Sequence, residues 1–289
     1  MISREEVQER ARNIRVIALD IDGTSMNNQS EITPYTRTVI QRLVDCGYLI
    51  VPASGRGFSG LCEQILGVKG IRYVISANGA VITDGETGER IDIYLMPCEL
   101  SVSLIRDMLR TDTCVYVHQN DPEGTHVFAC GDGDFYEEHY RLKGWPGKEA
   151  LMGMEFPDYL RKDGRDIVKI GIWFENEEKL AEAEVFIRKK YPAVSAFRVA
   201  NYELEISDSR ASKGNALQNL CERIGVVPWQ VCAIGDNGND VLMIQYAGLG
   251  IAMGNAIESV KAQADYIAGL NDEDGAAKFF EDFFLSIVS

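Results

Sequence analysis

The apolar run Val16-Ile17-Ala18-Leu19 ends abruptly in Asp20-Ile21-Asp22-Gly23-Thr24, and no other stretch constrains the fold as much. A short apolar run stopped by a polar turn reads as a buried parallel strand. Gly23 lets the backbone turn sharply beside two carboxylates spaced two residues apart. The design recurs near the other end, where Val231-Cys232-Ala233-Ile234 empties into Gly235-Asp236-Asn237-Gly238-Asn239-Asp240. Open α/β sheets gather their ligands at the carboxyl ends of strands, where the strand order reverses. Two strands delivering carboxylates to that edge suggest a divalent cation and the phosphate it would neutralise.

The intervening sequence supports such a sheet. Thr36 to Cys46 is amphipathic, with Val39, Ile40, Leu43 and Val44 on one face and Gly47 ending it. Strands are expected at Leu49 to Ala53, stopping at Ser54-Gly55-Arg56, and at Tyr73 to Ser76, stopping at Asn78-Gly79. A helical segment carrying Leu61, Ile65 and Leu66 separates them. This βαβαβ rhythm implies right-handed crossovers. A hairpin about Gly85 to Gly88 follows.

From about Pro97 the texture becomes α+β. A helical stripe (Leu100, Leu104, Ile105, Met108) leads into a Gly- and Asp-rich stretch from Asp121 to Gly164. Ile167 to Phe174 alternates as a half-exposed strand would, Lys179 to Lys190 reads as a charged helix, and Ala196 to Ile206 as a strand pair about Asn201. The α/β rhythm then resumes with helix Lys213 to Ile224, strand Val231 to Ile234, helix Val241 to Tyr246, strand Leu249 to Ala252 and a C-terminal helix from Ala276. The expected organisation is an α/β core, 1–84 and 209–289, split by an inserted α+β domain, 85–208.

Composition narrows the partners. Acidic residues outnumber basic ones 44 to 29 in a chain of 289, for a formal charge of −15. Such a surface repels nucleic acid and anionic membranes, while a metal and a few cations could still reverse the field locally for a small phosphorylated molecule. No protein partner is indicated. Met1 to Arg15 is charged throughout and lacks a signal peptide's apolar core, and no apolar stretch is long enough to span a bilayer. The seven cysteines, Cys46, Cys62, Cys98, Cys114, Cys130, Cys221 and Cys232, form no Cys-x-x-Cys pair, which favours free thiols in a reducing cytoplasm. The three histidines, His118, His126 and His139, lie in the middle third and argue against a zinc site.

Asp20 and Asp22 are the first chemical candidates. Crowded carboxylates resist joint ionisation unless a cation lies between them. With Mg²⁺ bound, one can stay anionic as a nucleophile while the other shuttles a proton. An Asx-type turn is the bland alternative. Ser54-Gly55-Arg56 is an everyday turn in isolation, but its hydroxyl and backbone N–H groups also suit an oxyanion. Lys213 opposes the dipole at a helix start, which a fixed anionic partner would explain; a solvated surface lysine is the commoner case. Asp236 directly follows its strand and is the better metal ligand, whereas Asp240 could simply cap the next helix.

Taken in order, Asp-x-Asp-Gly-Thr, Ser-Gly-Arg, Lys-Gly and Gly-Asp-x-x-Asn-Asp resemble the haloacid dehalogenase superfamily of aspartate-nucleophile phosphatases. Asn78-Gly79-Ala80 and Leu204-Glu205-Ile206 match its Cof-type (class IIB) members, which carry a large α+β cap after the third core strand. The resemblance implies a Rossmannoid parallel core of order 5-4-1-2-3. It implies Asp20 as nucleophile and Asp22 as acid and base. Asp20, the Asp22 carbonyl and Asp236 would hold Mg²⁺; Ser54, Gly55, Lys213 and Asn239 would hold the phosphoryl oxygens, with Asp240 behind them. Ser54 stands where such sequences mostly have Thr, and Ser25-Met26-Asn27 where they usually have leucines. The segment from Gly131 to Phe156, with Trp145-Pro146-Gly147, carries none of these motifs.

The expected activity is Mg²⁺-dependent hydrolysis of a small phosphorylated metabolite, a sugar phosphate by class, through an aspartyl phosphate. A phosphomannomutase-type phosphomutase would want extra cap cations. Arg141, Lys143, Arg161, Lys162 and Arg165 are there, among equally acidic loops. A non-catalytic metal- and ligand-binding sensor would not need every residue of the motif set.

Overall fold

A computed structural model describes residues 1–58, 61, 65, 67–109, 113–120, 126–130, 155–199 and 202–286. Most of the segment with Leu61, Ile65 and Leu66, the stretch 131–154, and Asn201 lie outside the described residues. The chain divides into two compact units, Met1–Ile93 with Ser212–Ser289, and Tyr94–Ala211.

The first unit is built on strands β1 (Val16–Asp20), β2 (Leu49–Ala53), β3 (Tyr73–Ser76), β4 (Val81–Asp84) and β5 (Arg90–Ile93), with β11 (Val231–Gly235), β12 (Leu249–Ala252) and β13 (Tyr266–Ile267). The sheet order is β13-β12-β11-β1-β2-β3-β4-β5. β13 to β3 run parallel, and within them β12-β11-β1-β2-β3 is the expected 5-4-1-2-3 order. β1 and β11 pair from Val16↔Val231 to Leu19↔Ile234, so the strands that end in Asp20 and lead to Asp236 are neighbours.

Helices cover both faces because the apolar runs bury alternate residues on each side. Ile17 and Leu19 join the cluster packed by helices α1 (Arg4–Ala11) and α2 (Pro34–Asp45). Val16 and Ala18 join the opposite cluster, with Ala216, Leu217 and Leu220. Asp20 is in phase with Val16 and Ala18, which directs it toward the face where Lys213 begins its helix.

The hairpin β4–β5 belongs to this sheet, since β4 pairs antiparallel with β3. The compact units therefore divide at 93/94 and 211/212, where the sequence had suggested 84/85 and 208/209.

The second unit has helices α3 (Cys98–Met108), α4 (Phe156–Asp163) and α5 (Glu177–Lys190). Its antiparallel sheet, β7-β6-β8-β10-β9, comprises β6 (Thr113–Gln119), β7 (His126–Cys130), β8 (Ile167–Phe174), β9 (Val194–Val199) and β10 (Glu203–Asp208). Val115, Val117, Ile170, Ile172, Leu204 and Ile206 share its core with the helices. β8 is not half-exposed as its alternation suggested, for every residue in it is buried. On its polar face Lys169 pairs with Glu205, and the Tyr116 ring lies over Gly171, its hydroxyl 2.8 Å from Glu203 Oε1. Cys46, Cys98, Cys221 and Cys232 are free thiols, but Cys114 is disulfide-bonded, contrary to the expectation of free thiols. In register it stands opposite Cys130.

The remaining helices of the first unit are α6 (Lys213–Ile224), α7 (Val241–Tyr246), α8 (Glu258–Lys261) and α9 (Gly275–Phe280).

Candidate active site

Four loops of the first unit meet at the carboxyl ends of its parallel strands. The first turns immediately after Asp20. Gly23 adopts φ +77°, and a Cβ there would lie 2.5 Å from Asp236 Oδ2, so only glycine permits both the turn and the approach of that carboxylate. Thr24 Oγ1 donates to Asp236 Oδ1 (3.1 Å), and Ser25 Oγ donates to the Asp20 carbonyl (2.7 Å). Ser25 thus closes the loop with a hydrogen bond, and Met26 beside it is buried.

Lys213 is the electrostatic centre. It is 1% exposed, and its Nζ donates to Asp20 Oδ1 (2.6 Å) and Asp240 Oδ1 (2.7 Å). The fixed anionic partner that would excuse a lysine at a helix start is this carboxylate pair. An ammonium has three donors, so one N–H stays available for a further acceptor.

Asp240 stands at the N-cap position of α7, but its side chain makes no capping hydrogen bond to that helix. Its Oδ2 accepts from the N–H groups of Asp236 (2.9 Å) and Asn237 (3.0 Å), so both of its oxygens are committed. It holds the 235–240 loop and Lys213 together.

Asp20, Asp236 and Asp240 each bring a carboxylate oxygen within 4.8 Å of the others. Burial, then the charges of Asp240 and Asp236, push the Asp20 pKa well above the usual carboxylate range despite Lys213. Burial and Asp240 likewise push Asp236 up to about 6. Burial works against the Lys213 charge, but Asp20 and Asp240 outweigh it and raise its pKa. Three carboxylates facing one ammonium leave two negative charges uncompensated when all are ionised. Asp20 Oδ2 is buried with no hydrogen-bond partner. This oxygen-only donor set fits a hard divalent cation. Asp20 and Asp236 have oxygens to offer it, and Asp240 has none.

The Asp22 carboxylate lies apart from that cluster. Arg56 holds it side-on, with Nη2 2.6 Å from Oδ1 and Nε 3.0 Å from Oδ2. Ser54 is fully buried, its Oγ accepting from the Arg56 N–H (3.1 Å) and lying 3.5 Å from Asp22 Oδ2. Gly55 is the residue between them in that loop. Asn239 Nδ2 donates to Asn78 Oδ1 (2.9 Å).

The structure therefore gathers Asp20, Lys213, Asp236 and Asp240 directly, and connects Asp22 with Ser54 through Arg56. Sequence reasoning assigned no role to Arg56, although it is the next residue of its motif, nor to Thr24 or the Asn78 side chain. It also passed over Asn255, whose Nδ2 donates to the Gly23 carbonyl (2.8 Å) and which carries no local signal.

A parallel α/β core with carboxylates and a buried lysine at its strand ends defines the phosphoryl-transfer class of α/β enzymes. The chain belongs to the haloacid dehalogenase-like hydrolase family, which it matches over residues 17–280. It is 30% identical over 284 residues to the 5-amino-6-(5-phospho-D-ribitylamino)uracil phosphatase YcsE of Bacillus subtilis, covering 94% of this chain and 96% of that one. The phosphatase YxeH, so named putatively, of the same organism is 29% identical, covering 94% and 99%. A crystal structure of a haloacid dehalogenase-like hydrolase from Bacteroides thetaiotaomicron superimposes with a TM-score of 0.75 at 29% identity, covering 93% of this chain and 98% of the other. The protein is an enzyme of the phosphatase class. Among the described residues, no helix is long and apolar enough to cross a membrane.

Proposed function

We propose that this protein hydrolyses a sugar or sugar-alcohol phosphate in a Mg²⁺-dependent reaction with Asp20 as nucleophile. The observation that carries the reading is the Asp20 carboxylate itself. It is buried, one oxygen is fixed by Lys213, and the other has no hydrogen-bond partner. Asp20 attacks phosphorus, the bond to the leaving oxygen breaks, and that oxygen takes a proton from Asp22. Asp22 then removes a proton from the water that attacks the aspartyl phosphate, releasing inorganic phosphate and restoring Asp20. Ser54, the Gly55 N–H, Lys213 and Asn239 receive the phosphoryl oxygens. Asp20, the Asp22 carbonyl and Asp236 would hold Mg²⁺, which supplies neutralisation of the phosphoryl charge.

The substrate class is supported by YcsE, whose name specifies a phosphorylated ribityl compound. In this reading the unit Tyr94–Ala211 is the cap that selects the leaving group. The test is phosphate release from a panel of sugar and sugar-alcohol phosphates, with MgCl₂ or with EDTA. Turnover of at least one sugar or sugar-alcohol phosphate, abolished by EDTA and restored by Mg²⁺, is expected. Full activity after exhaustive EDTA dialysis, or no turnover of any panel member, would refute the reading.

A further inference from the structure

The turn after β3 is unlike any other in the described chain. Ala77, Asn78 and Gly79 all have positive φ, at 50°, 56° and 91°. Left-handed residues normally occur singly, since a Cβ there crowds the carbonyl. No other two adjacent residues share the conformation among the described residues. Three in a row, two of them bearing a Cβ, persist only when their surroundings hold them.

Those surroundings are the other loops of the candidate site. The Ala77 N–H donates to the Arg56 carbonyl (2.7 Å) and the Asn78 N–H to the Ser54 carbonyl (3.0 Å), clamping the 54–56 loop at both ends. A Cβ on Gly79 would lie 2.1 Å from the Ser212 carbonyl oxygen and 2.8 Å from the Lys213 nitrogen, so the turn is seated on the start of α6. Asn78 Oδ1 accepts from Asn239 in the 235–240 loop. Asn239 Oδ1, at the other end of that amide, is buried with no hydrogen-bond partner. One three-residue turn thus touches all three loops that carry the remaining phosphate ligands.

We propose that Ala77–Gly79 is the brace of the phosphate pocket and that Asn78 is a positioning residue acting through Asn239. An amide can rotate end for end about its χ2 bond. Asn78 carries both an acceptor and a donor, so by turning its own amide in step it can hold either end of the Asn239 amide. When phosphate arrives, Asn78 holds the oxygen end and Asn239 turns its N–H₂ toward a phosphoryl oxygen. The left-handed backbone sets the Asn78 side chain at the reach this requires, while the same turn holds the backbone of the 54–56 loop. This inference rests on the phosphatase reading above.

The test compares wild type, Asn78→Gly, Asn239→Ala and the double variant. Glycine tolerates the left-handed backbone, so Asn78→Gly removes the amide alone. If it melts below assay temperature, Asn78→Ser, too short to reach Asn239, repeats the comparison. The readouts are KM and kcat on p-nitrophenyl phosphate with Mg²⁺, inhibition by inorganic phosphate, and the shift in Tm that phosphate produces. Each single variant should raise KM and the phosphate inhibition constant about tenfold and shrink the Tm shift, the scale of one lost hydrogen bond to a charged group. The double variant should be no worse than either single one. Wild-type phosphate affinity in Asn78→Gly, or penalties that multiply in the double variant, would overturn the role of Asn78 while leaving the phosphatase reading intact. A wild-type protein that neither releases nor binds phosphate would overturn both.

Discussion

Asp20 holds the most costly position in the site, a carboxylate buried beside two others with one ammonium to balance them. Asn in its place keeps the shape but can neither form an acyl phosphate nor carry the charge. Asp20→Asn should therefore lower phosphate release by at least about 10⁴-fold. Its far-UV circular dichroism should match wild type, and its Tm in EDTA should be equal or higher, because the amide relieves the crowding. A lowered Tm would show that Asp20 is a stabilising group. Lys213 is the opposite case. Lys213→Met strands Asp20 and Asp240 without their cation, at a cost of about 3–5 kcal/mol for breaking a buried pair. Chemical denaturation in EDTA should show this loss, and Mg²⁺ should recover part of it.

At the level of elements, β8 shows how one glycine organises a sheet face. Gly171 stands opposite Tyr116, and a Cβ on it would meet the ring at 1.9 Å. The ring lies across the strand and its hydroxyl reaches Glu203 and Glu205 on β10, while Lys169 pairs with Glu205. Gly171→Ala must displace a ring that is 2% exposed, and should destabilise the second unit by about 1–3 kcal/mol. The check is a lower Tm in thermal unfolding followed by tryptophan fluorescence in a Trp229→Phe background, which leaves the tryptophans of the second unit as the signal. An unchanged transition would mean that the ring moves without penalty. The alternation of Ile167 to Phe174 picked out Ile170, Ile172 and Phe174, which join the core cluster, but Val168 does not join it, and the pattern did not show that both faces would be covered. Its lysine and tryptophan are buried by partners on other strands, which periodicity along one strand does not reveal.

On the scale of the molecule, each compact unit has its own hydrophobic clusters, so each has the material to fold around its own core. Replacing 94–211 by a short linker from Ile93 to Ser212 keeps every residue proposed for the chemistry. The shortened protein should still hydrolyse p-nitrophenyl phosphate, whose leaving group needs little help. It should lose nearly all preference among sugar and sugar-alcohol phosphates, since in the proposed reaction the core loops are taken up with metal and phosphate. Kinetics on one substrate panel, with and without the second unit, decide this. An unchanged order of preference would place specificity in the core.

By itself the sequence determined the elements of the core and the residues to suspect. Strands buried on both faces must be apolar runs, and the polar residues that stop them must lie at their ends, so β1 and β11 announce Asp20 and Asp236 locally. The same logic placed helix Lys213–Ile224 and strand Leu249–Ala252 at their observed bounds. Tertiary structure decided what those residues do to one another. Lys213 reaches Asp20 across 193 positions, and only the β1–β11 register and the packing of α6 bring them together. Arg56 on Asp22, Asn239 on Asn78, and the double commitment of Asp240 depend on angstrom-scale placement of separate loops. The hairpin β4–β5 joined the core sheet for a similar reason. Its own pattern specifies a hairpin, but only the open edge of β3 specifies which sheet it extends. Periodicity is a local property of a chain. Pairing is a property of two segments, and neither segment encodes it alone.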